Sequence, residues 1–326
     1  MQKILETIGK TPLVKLEKIS KKYGADIYAK LEYFNPTSSI KDRISKYMIE
    51  KAEKEGKIKP GDTIIENSSG NTATGLALLA KQKGYNLILV VRETLSPDKK
   101  RVLKAFGKQV QILEVDPTLP AEHPESYVRF PKTYAEKHKH VWYMDQHDNL
   151  DNPEAHYMTT GQEIIKQSGG NIDFFVASVG TGGTLSGIGR ALKEYNPEIK
   201  IYGVDSKGSV FRAAFYKEIL PKPQTHHIEG IGNAVPTKNI HEKYIDEVME
   251  INSKQAIETV YEILQEEGLI IGPSAGANVW GAIELAKKIG KINKRKPVIV
   301  TSIGDTGYKY TGTLFNPDWV KKVMEE

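Results

Sequence analysis

Short apolar runs rich in β-branched residues alternate along this chain with longer stretches of helical periodicity. That alternation narrows the fold more than any other feature. Residues 63–65 (TII), 86–91 (NLILVV), 110–115 (VQILEV), 173–177 (DFFVA), 199–204 (IKIYGV) and 298–301 (VIVT) read as strands. Helical patterns lie over 44–55, 72–84, 99–106, 155–167, 184–194, 254–267 and 275–289. Strands of this apolar kind are buried on both faces, and parallel neighbours need a helical crossover. The pattern predicts an α/β fold with two three-layer αβα domains and mainly parallel sheets. At 326 residues the chain suits two ordinary domains. The polar segment 145–153 marks the passage, giving domains 1–150 and 151–326, with the stretch before Asn35 able to pack on the second. Residues 116–140, rich in Pro and His, read as an excursion with one helix, a mobile subdomain; 207–236 read as loop.

Composition removes several classes of function. Lys and Arg number 46 against 41 Asp and Glu, a net charge of +5, and the signs are interleaved, as in Lys51-Ala52-Glu53-Lys54-Glu55. That is a solvated surface, and no nucleic-acid partner is expected. Cysteine is absent, which removes disulfides, thiolate metal sites and a catalytic thiol, and fits a cytoplasmic location. No stretch approaches the ~20 apolar residues of a membrane span. Residues 1–10 lack an apolar run after a basic start, so no signal peptide is expected either. The eight His show no ligand spacing, so no metal is expected.

Against this background four polar, small-residue segments stand out. In Asn35-Pro36-Thr37-Ser38-Ser39-Ile40-Lys41-Asp42-Arg43 a lysine sits where a helix should begin. The positive end of a helix disfavours a cation and so favours the neutral amine, the form that attacks an aldehyde. A solvated helix start explains the same residues more simply. Glu66-Asn67-Ser68-Ser69-Gly70-Asn71-Thr72 follows a strand and opens a helix, which suits either an anion or a plain capped turn. Ser178-Val179-Gly180-Thr181-Gly182-Gly183-Thr184 packs three glycines into four positions, a backbone nest for a compact phosphate. It matches neither a Walker loop nor a dinucleotide fingerprint. Gly272-Pro273-Ser274-Ala275-Gly276 puts Ser274 at a helix start, as a cap or as a hydroxyl facing a ring nitrogen. Its GxSxG spacing also admits a hydrolase, though no acid–base partners accompany it.

Taken in order, these segments resemble the fold-type II pyridoxal-phosphate enzymes, in the branch of cysteine synthase and cystathionine β-synthase. Gly9-Lys10-Thr11-Pro12-Leu13 and Glu229-Gly230-Ile231-Gly232 complete the set, which spans nearly the whole chain. The resemblance implies a fold like the tryptophan synthase β-subunit, a homodimer, amino-acid substrates and pyridoxal 5'-phosphate as cofactor. It makes Lys41 the Schiff-base lysine and Asn71 the donor to the ring oxygen. Gly180, Thr181, Gly182, Gly183 and Thr184 become the phosphate cup, and Ser274 the partner of the ring nitrogen. Ser68, Ser69, Thr72 and Gln146 become the substrate-carboxylate site, with Tyr157, Glu229 and Gly230 toward the second substrate. The implied chemistry is β-replacement on serine, cysteine or an O-activated serine through an aminoacrylate. Asp145-Gln146-His147 and Asn152-Pro153-Glu154-Ala155-His156-Tyr157 resemble the cystathionine β-synthases. Cysteine synthase and a cysteine-cleaving activity that releases hydrogen sulfide are the alternatives. A catalytically dead binding relative is the non-enzyme reading.

Overall fold

The computed structural model describes residues 2–120, 122–222, 224–292 and 294–325. In chain order the first elements are β1 (Leu13–Lys15), α1 (Glu17–Tyr23), β2 (Asp26–Leu31), α2 (Lys41–Lys54), β3 (Thr63–Asn67), α3 (Asn71–Lys83), β4 (Asn86–Arg92), α4 (Pro97–Ala105), β5 (Val110–Val115), α5 (Phe130–Lys137) and β6 (Val141–Tyr143). Next, α6 (Asp151–Ala155) runs through a π-helical segment, His156–Gly161, into α7 (Gln162–Ser168). The series ends with β7 (Phe174–Ser178), α8 (Gly183–Tyr195), β8 (Lys200–Ser206), α9 (Phe211–Phe215), β9 (Glu247–Ile251), α10 (Ser253–Glu267), α11 (Pro273–Ile289), β10 (Val298–Ile303) and α12 (Pro317–Glu325).

The chain divides into two compact units, Met1–Ile8 with Asn35–Asn152, and Gly9–Phe34 with Pro153–Glu326. The first unit holds a parallel sheet in the order β5-β4-β3-β6. Its central strands follow from their apolar runs: Ile64, Ile65, Leu87, Leu89 and Val90 are all wholly buried. One face of the sheet meets Tyr127, Phe130 and Tyr134, from the excursion that carries α5. The expectation of one helix there is met by α5.

The second unit holds a sheet in the order β1-β2-β10-β7-β8-β9. Only β1 runs antiparallel to its neighbour. The strand β10 is buried along its whole length, and α11 turns Ala275, Ala277, Val279, Ala282 and Leu285 inward. Sequence periodicity gave no sign of β1, β2, β6 or β9. These strands are short or interrupted by charge. In β2 the interruption is Lys30, wholly buried and bonded to Glu163 Oε2 at 2.7 Å, Gln167 Oε1 at 2.9 Å and the Thr11 carbonyl. The single helix expected over 155–167 is a composite of α6, the π-helical segment and α7.

Candidate active site

In the first unit the polar turn acts on itself. Ser38 takes the left-handed conformation (φ +57°), and its N–H donates to the Asn35 carbonyl at 2.7 Å. Buried Asp42 accepts from the Thr37 N–H at 2.7 Å and from the Thr37 hydroxyl. Buried Ser39 accepts from the Lys41 N–H at 3.1 Å. These bonds fix where α2 starts, and Lys41 is its first residue. The Lys41 side chain is half-buried. It is close enough to His147 to act on that ring, which burial pushes below its ordinary pKa; Asp148 opposes the shift and the Lys41 charge adds to it.

The second polar loop leaves β3 and enters α3, which opens on Gly70 without a side-chain cap. Asn71 is the first helical residue, half-buried, and Ser69 lies half-exposed in the loop. Buried Ser68 accepts from the Ala73 N–H at 3.2 Å. The Thr72 hydroxyl donates to Gln146 Oε1 at 2.7 Å. Sheet register brings Gln146 here: Ile65 pairs with Tyr143 across β3 and β6, and the Met144 N–H reaches the Ile65 carbonyl at 3.2 Å. Ser68, Ser69, Asn71, Thr72 and Gln146 are thus gathered at the carboxyl ends of β3 and β6.

In the second unit the glycine-rich loop joins β7 to α8, and no side chain caps α8. Two of its glycines are forced. A Cβ on Gly180 would come within 2.5 Å of the Gly230 carbonyl oxygen. Gly182 has φ +87°, and a side chain there would collide with Ile240. The loop is braced from outside. The Asn233 amide donates to the Gly180 carbonyl, the Gly232 N–H to the Val179 carbonyl at 2.8 Å, and the Thr237 hydroxyl to the Thr181 carbonyl at 2.8 Å. His156 Nε2 lies 3.2 Å from the Thr184 hydroxyl, and its Nδ1 lies 2.9 Å from Thr160. Ser274 sits in the first turn of α11, also uncapped by any side chain. Gly230 borders it: a methyl there would stand 3.7 Å from Ser274 Cβ. Glu229 is exposed. Tyr157 is not gathered with these residues. Its hydroxyl donates to Glu194 at 2.7 Å and its ring lies under the Arg190 guanidinium at 3.9 Å, at the far end of α8 from Gly180. The side chain that turns from this segment toward Thr184 is His156.

The donor chemistry fits pyridoxal phosphate. Residues 178–184 (SVGTGGT) offer N–H and hydroxyl groups and no carboxylate. Opening α8 without a cap leaves first-turn N–H groups without intrahelical acceptors, a setting for a dianion. In the first unit Lys41 carries an amine and Asn71 an amide donor, and in the second Ser274 carries a hydroxyl. Sequence reasoning gave no role to Glu66, which meets Gln146 in the first unit, or to His156 and Asn233, which meet the glycine-rich loop in the second. Only Glu66 carried a signal, a carboxylate inside an otherwise apolar strand. Among the described residues no cluster of His, Asp and Glu could hold a metal, and no helix is long and apolar enough to cross a membrane.

Comparison with known proteins points the same way. A family model described as "Pyridoxal-phosphate dependent enzyme" matches residues 4–304. A cysteine synthase of Staphylococcus aureus is 38% identical over 311 residues, 95% of each chain. Among solved structures, an O-ureido-L-serine synthase aligns with TM-score 0.87 at 31% identity, covering 97% of this chain and 96% of that one. A hydrogen sulfide-producing enzyme from Fusobacterium nucleatum aligns with TM-score 0.84 at 32% identity, covering 95% and 97%.

Proposed function

The chain belongs to the pyridoxal-phosphate dependent enzymes, and from that premise we propose that it is an enzyme of the cysteine synthase type. It would exchange the β-substituent of an activated L-serine for a sulfur nucleophile. The observation that carries this reading is similarity to a cysteine synthase along 95% of both chains, which takes in every polar loop described above.

Bound pyridoxal phosphate supplies an electron sink that makes a substrate Cα–H acidic. Lys41 would hold the cofactor through Nζ and, once released, take the Cα proton and return one at the end. Asn71 would donate its amide N–H to the ring oxygen, and the N–H groups of 180–184 would hold the phosphate, braced by His156 and Asn233. Ser274 would meet the ring nitrogen with a neutral hydroxyl. Unlike a carboxylate, it need not keep that nitrogen protonated, which favours loss of a β-substituent over transamination. Ser68, Ser69, Thr72 and Gln146 would receive the α-carboxylate. Hydrogen bonds to charge are worth roughly 1.5–3 kcal/mol each. Glu229 and Gly230 would lie toward the second substrate, Gly230 because it borders Ser274.

A second reading is release of hydrogen sulfide from cysteine, supported by the likeness to the Fusobacterium enzyme. Cystathionine formation rests on the resemblance of residues 145–147 and 152–157. One assay separates them. The purified protein is supplied with O-acetyl-L-serine and sulfide, with L-serine or L-cysteine plus homocysteine, and with L-cysteine alone. Cysteine formed fastest from the first pair is the expected result. Cystathionine or sulfide as the main product moves the assignment to those branches, and no turnover of any β-substituted amino acid overturns it.

A further inference from the structure

Glu66 is buried to 0% exposure at the end of β3, an unusual place for a carboxyl group. Its two oxygens face Gln146: Oε2 accepts from the Gln146 backbone N–H at 3.3 Å, and Oε1 from the side-chain Nε2 at 3.3 Å. Gln146 Nε2 also reaches the Asn67 carbonyl at 3.5 Å, while Gln146 Oε1 accepts from Thr72. Two long bonds and one short one therefore hold the side-chain amide so that its N–H groups point back at β3, while the third long bond ties the backbone N–H to the same carboxyl. An α-carboxylate can be met by those N–H groups only if they leave Glu66 and Asn67.

We propose that Glu66 is a positioning residue for substrate binding: neutral, it holds Gln146 loosely and yields it to the α-carboxylate; ionised, it retains Gln146 and repels the incoming anion. The proposal rests on the assignment of Gln146 to the carboxylate site. Burial is the main reason the Glu66 pKa is pushed up to about 8, and the Asp145 charge adds to it; the N–H groups of Gln146 and Asp145 oppose the shift. Charged or titratable groups that act with it include Tyr143 on β6 and Tyr127 ahead of α5, whose ring lies under the Arg92 guanidinium of β4 at 4.4 Å. Both tyrosines are pushed upward, chiefly by burial, so neither titrates near neutrality. The sign follows directly. A carboxyl raised to about 8 is protonated in the folded protein at pH 7. Its contribution to stability is complete below the ordinary carboxylate range and is lost as pH rises through about 8.

The test compares wild type, Glu66→Gln and Gln146→Ala as holoenzymes, with O-acetyl-L-serine and with L-cysteine, between pH 6.5 and about 9.5. In wild type KM should climb roughly ten-fold between pH 7 and 9, as one ionisation near 8 is crossed, with kcat changing less. In Glu66→Gln, where the side chain cannot ionise, that climb should flatten; the ionisations of substrate and cofactor persist in both. Infrared absorption of a protonated buried carboxyl should titrate near 8 in wild type and be missing from Glu66→Gln. An unchanged KM–pH profile in Glu66→Gln, with KM raised in Gln146→Ala, overturns the role of Glu66 alone. An unchanged KM in Gln146→Ala overturns the carboxylate assignment beneath it. If Glu66→Gln does not fold, a wild-type infrared band that persists unaltered above pH 9 overturns the proposal.

Discussion

Lys30 and Lys41 are both lysines in polar company, and they were unequally visible. Lys41 stands in a run of Pro, Thr and Ser at a helix start, a pattern that announces a polar turn. Lys30 lies in the mixed strand β2, and a lysine in a sequence reads as surface. Only the fold reveals its partners, Glu163 and Gln167, more than 130 positions away. Glu66 heads a polar segment visible in the sequence, but its partner Gln146, 80 positions away, was not. A buried charge that loses its partner is costly, typically 3–5 kcal/mol, and Glu163 keeps enough solvent access to put this pair near the lower end. Lys30→Ala should therefore lower stability by roughly 3 kcal/mol in urea unfolding. A loss below about 1 kcal/mol, the range of a surface pair, would mean the network contributes little.

At the scale of elements, the recurring unit is a small-residue loop and a helix that opens without a side-chain cap, entered from a strand at α3 and α8 and from α10 at α11. The helices α3, α8 and α11 all begin this way, on Gly70, Gly182 and Gly272. The contrast is α10, which starts on a complete capping box from Asn252 and Gln255. A side-chain cap would occupy the N–H groups that an anion needs, as the Ser68 hydroxyl does for the Ala73 N–H of α3. This was legible because glycine and hydroxyl residues after an apolar run mark the loop directly. The Asn233 and His156 braces were not, since each comes from a segment remote in sequence. Gly182→Ala tests the unit. It forces a side chain into φ +87° against Ile240 and should displace the loop. Titrated with pyridoxal phosphate, the apo variant should bind at least about ten-fold more weakly, a loss near 1.4 kcal/mol. Wild-type affinity would show that this loop does not hold the phosphate.

At the scale of the whole molecule, the alternation of strand and helix revealed the α/β class and the mainly parallel sheets. The stretch before Asn35 was already read as able to pack on the second domain; what the alternation hid was the strand β2 in it and the partner of that strand. Residues Gly9–Phe34 belong to the second unit because β2 pairs with β10, from Asp26 opposite Val298 to Leu31 opposite Ile303. No local pattern encodes a pairing across 272 positions, and DIYAKL is too mixed to declare itself a strand. The polar loops were legible because each is local. Their joint meaning depended on order along the chain, which is also what the family match over residues 4–304 reflects.

The most direct test of the central claim is to map the residue that carries the cofactor. The protein as purified with pyridoxal phosphate is reduced with borohydride, digested, and its peptides are sequenced by mass spectrometry. A phosphopyridoxyl group on Lys41 is expected, with Lys41→Ala retaining no reducible attachment. A tag on any other lysine, or none on a protein shown to contain the cofactor, would contradict the claim that the turn before α2 sets Lys41 as the amine on which the chemistry begins.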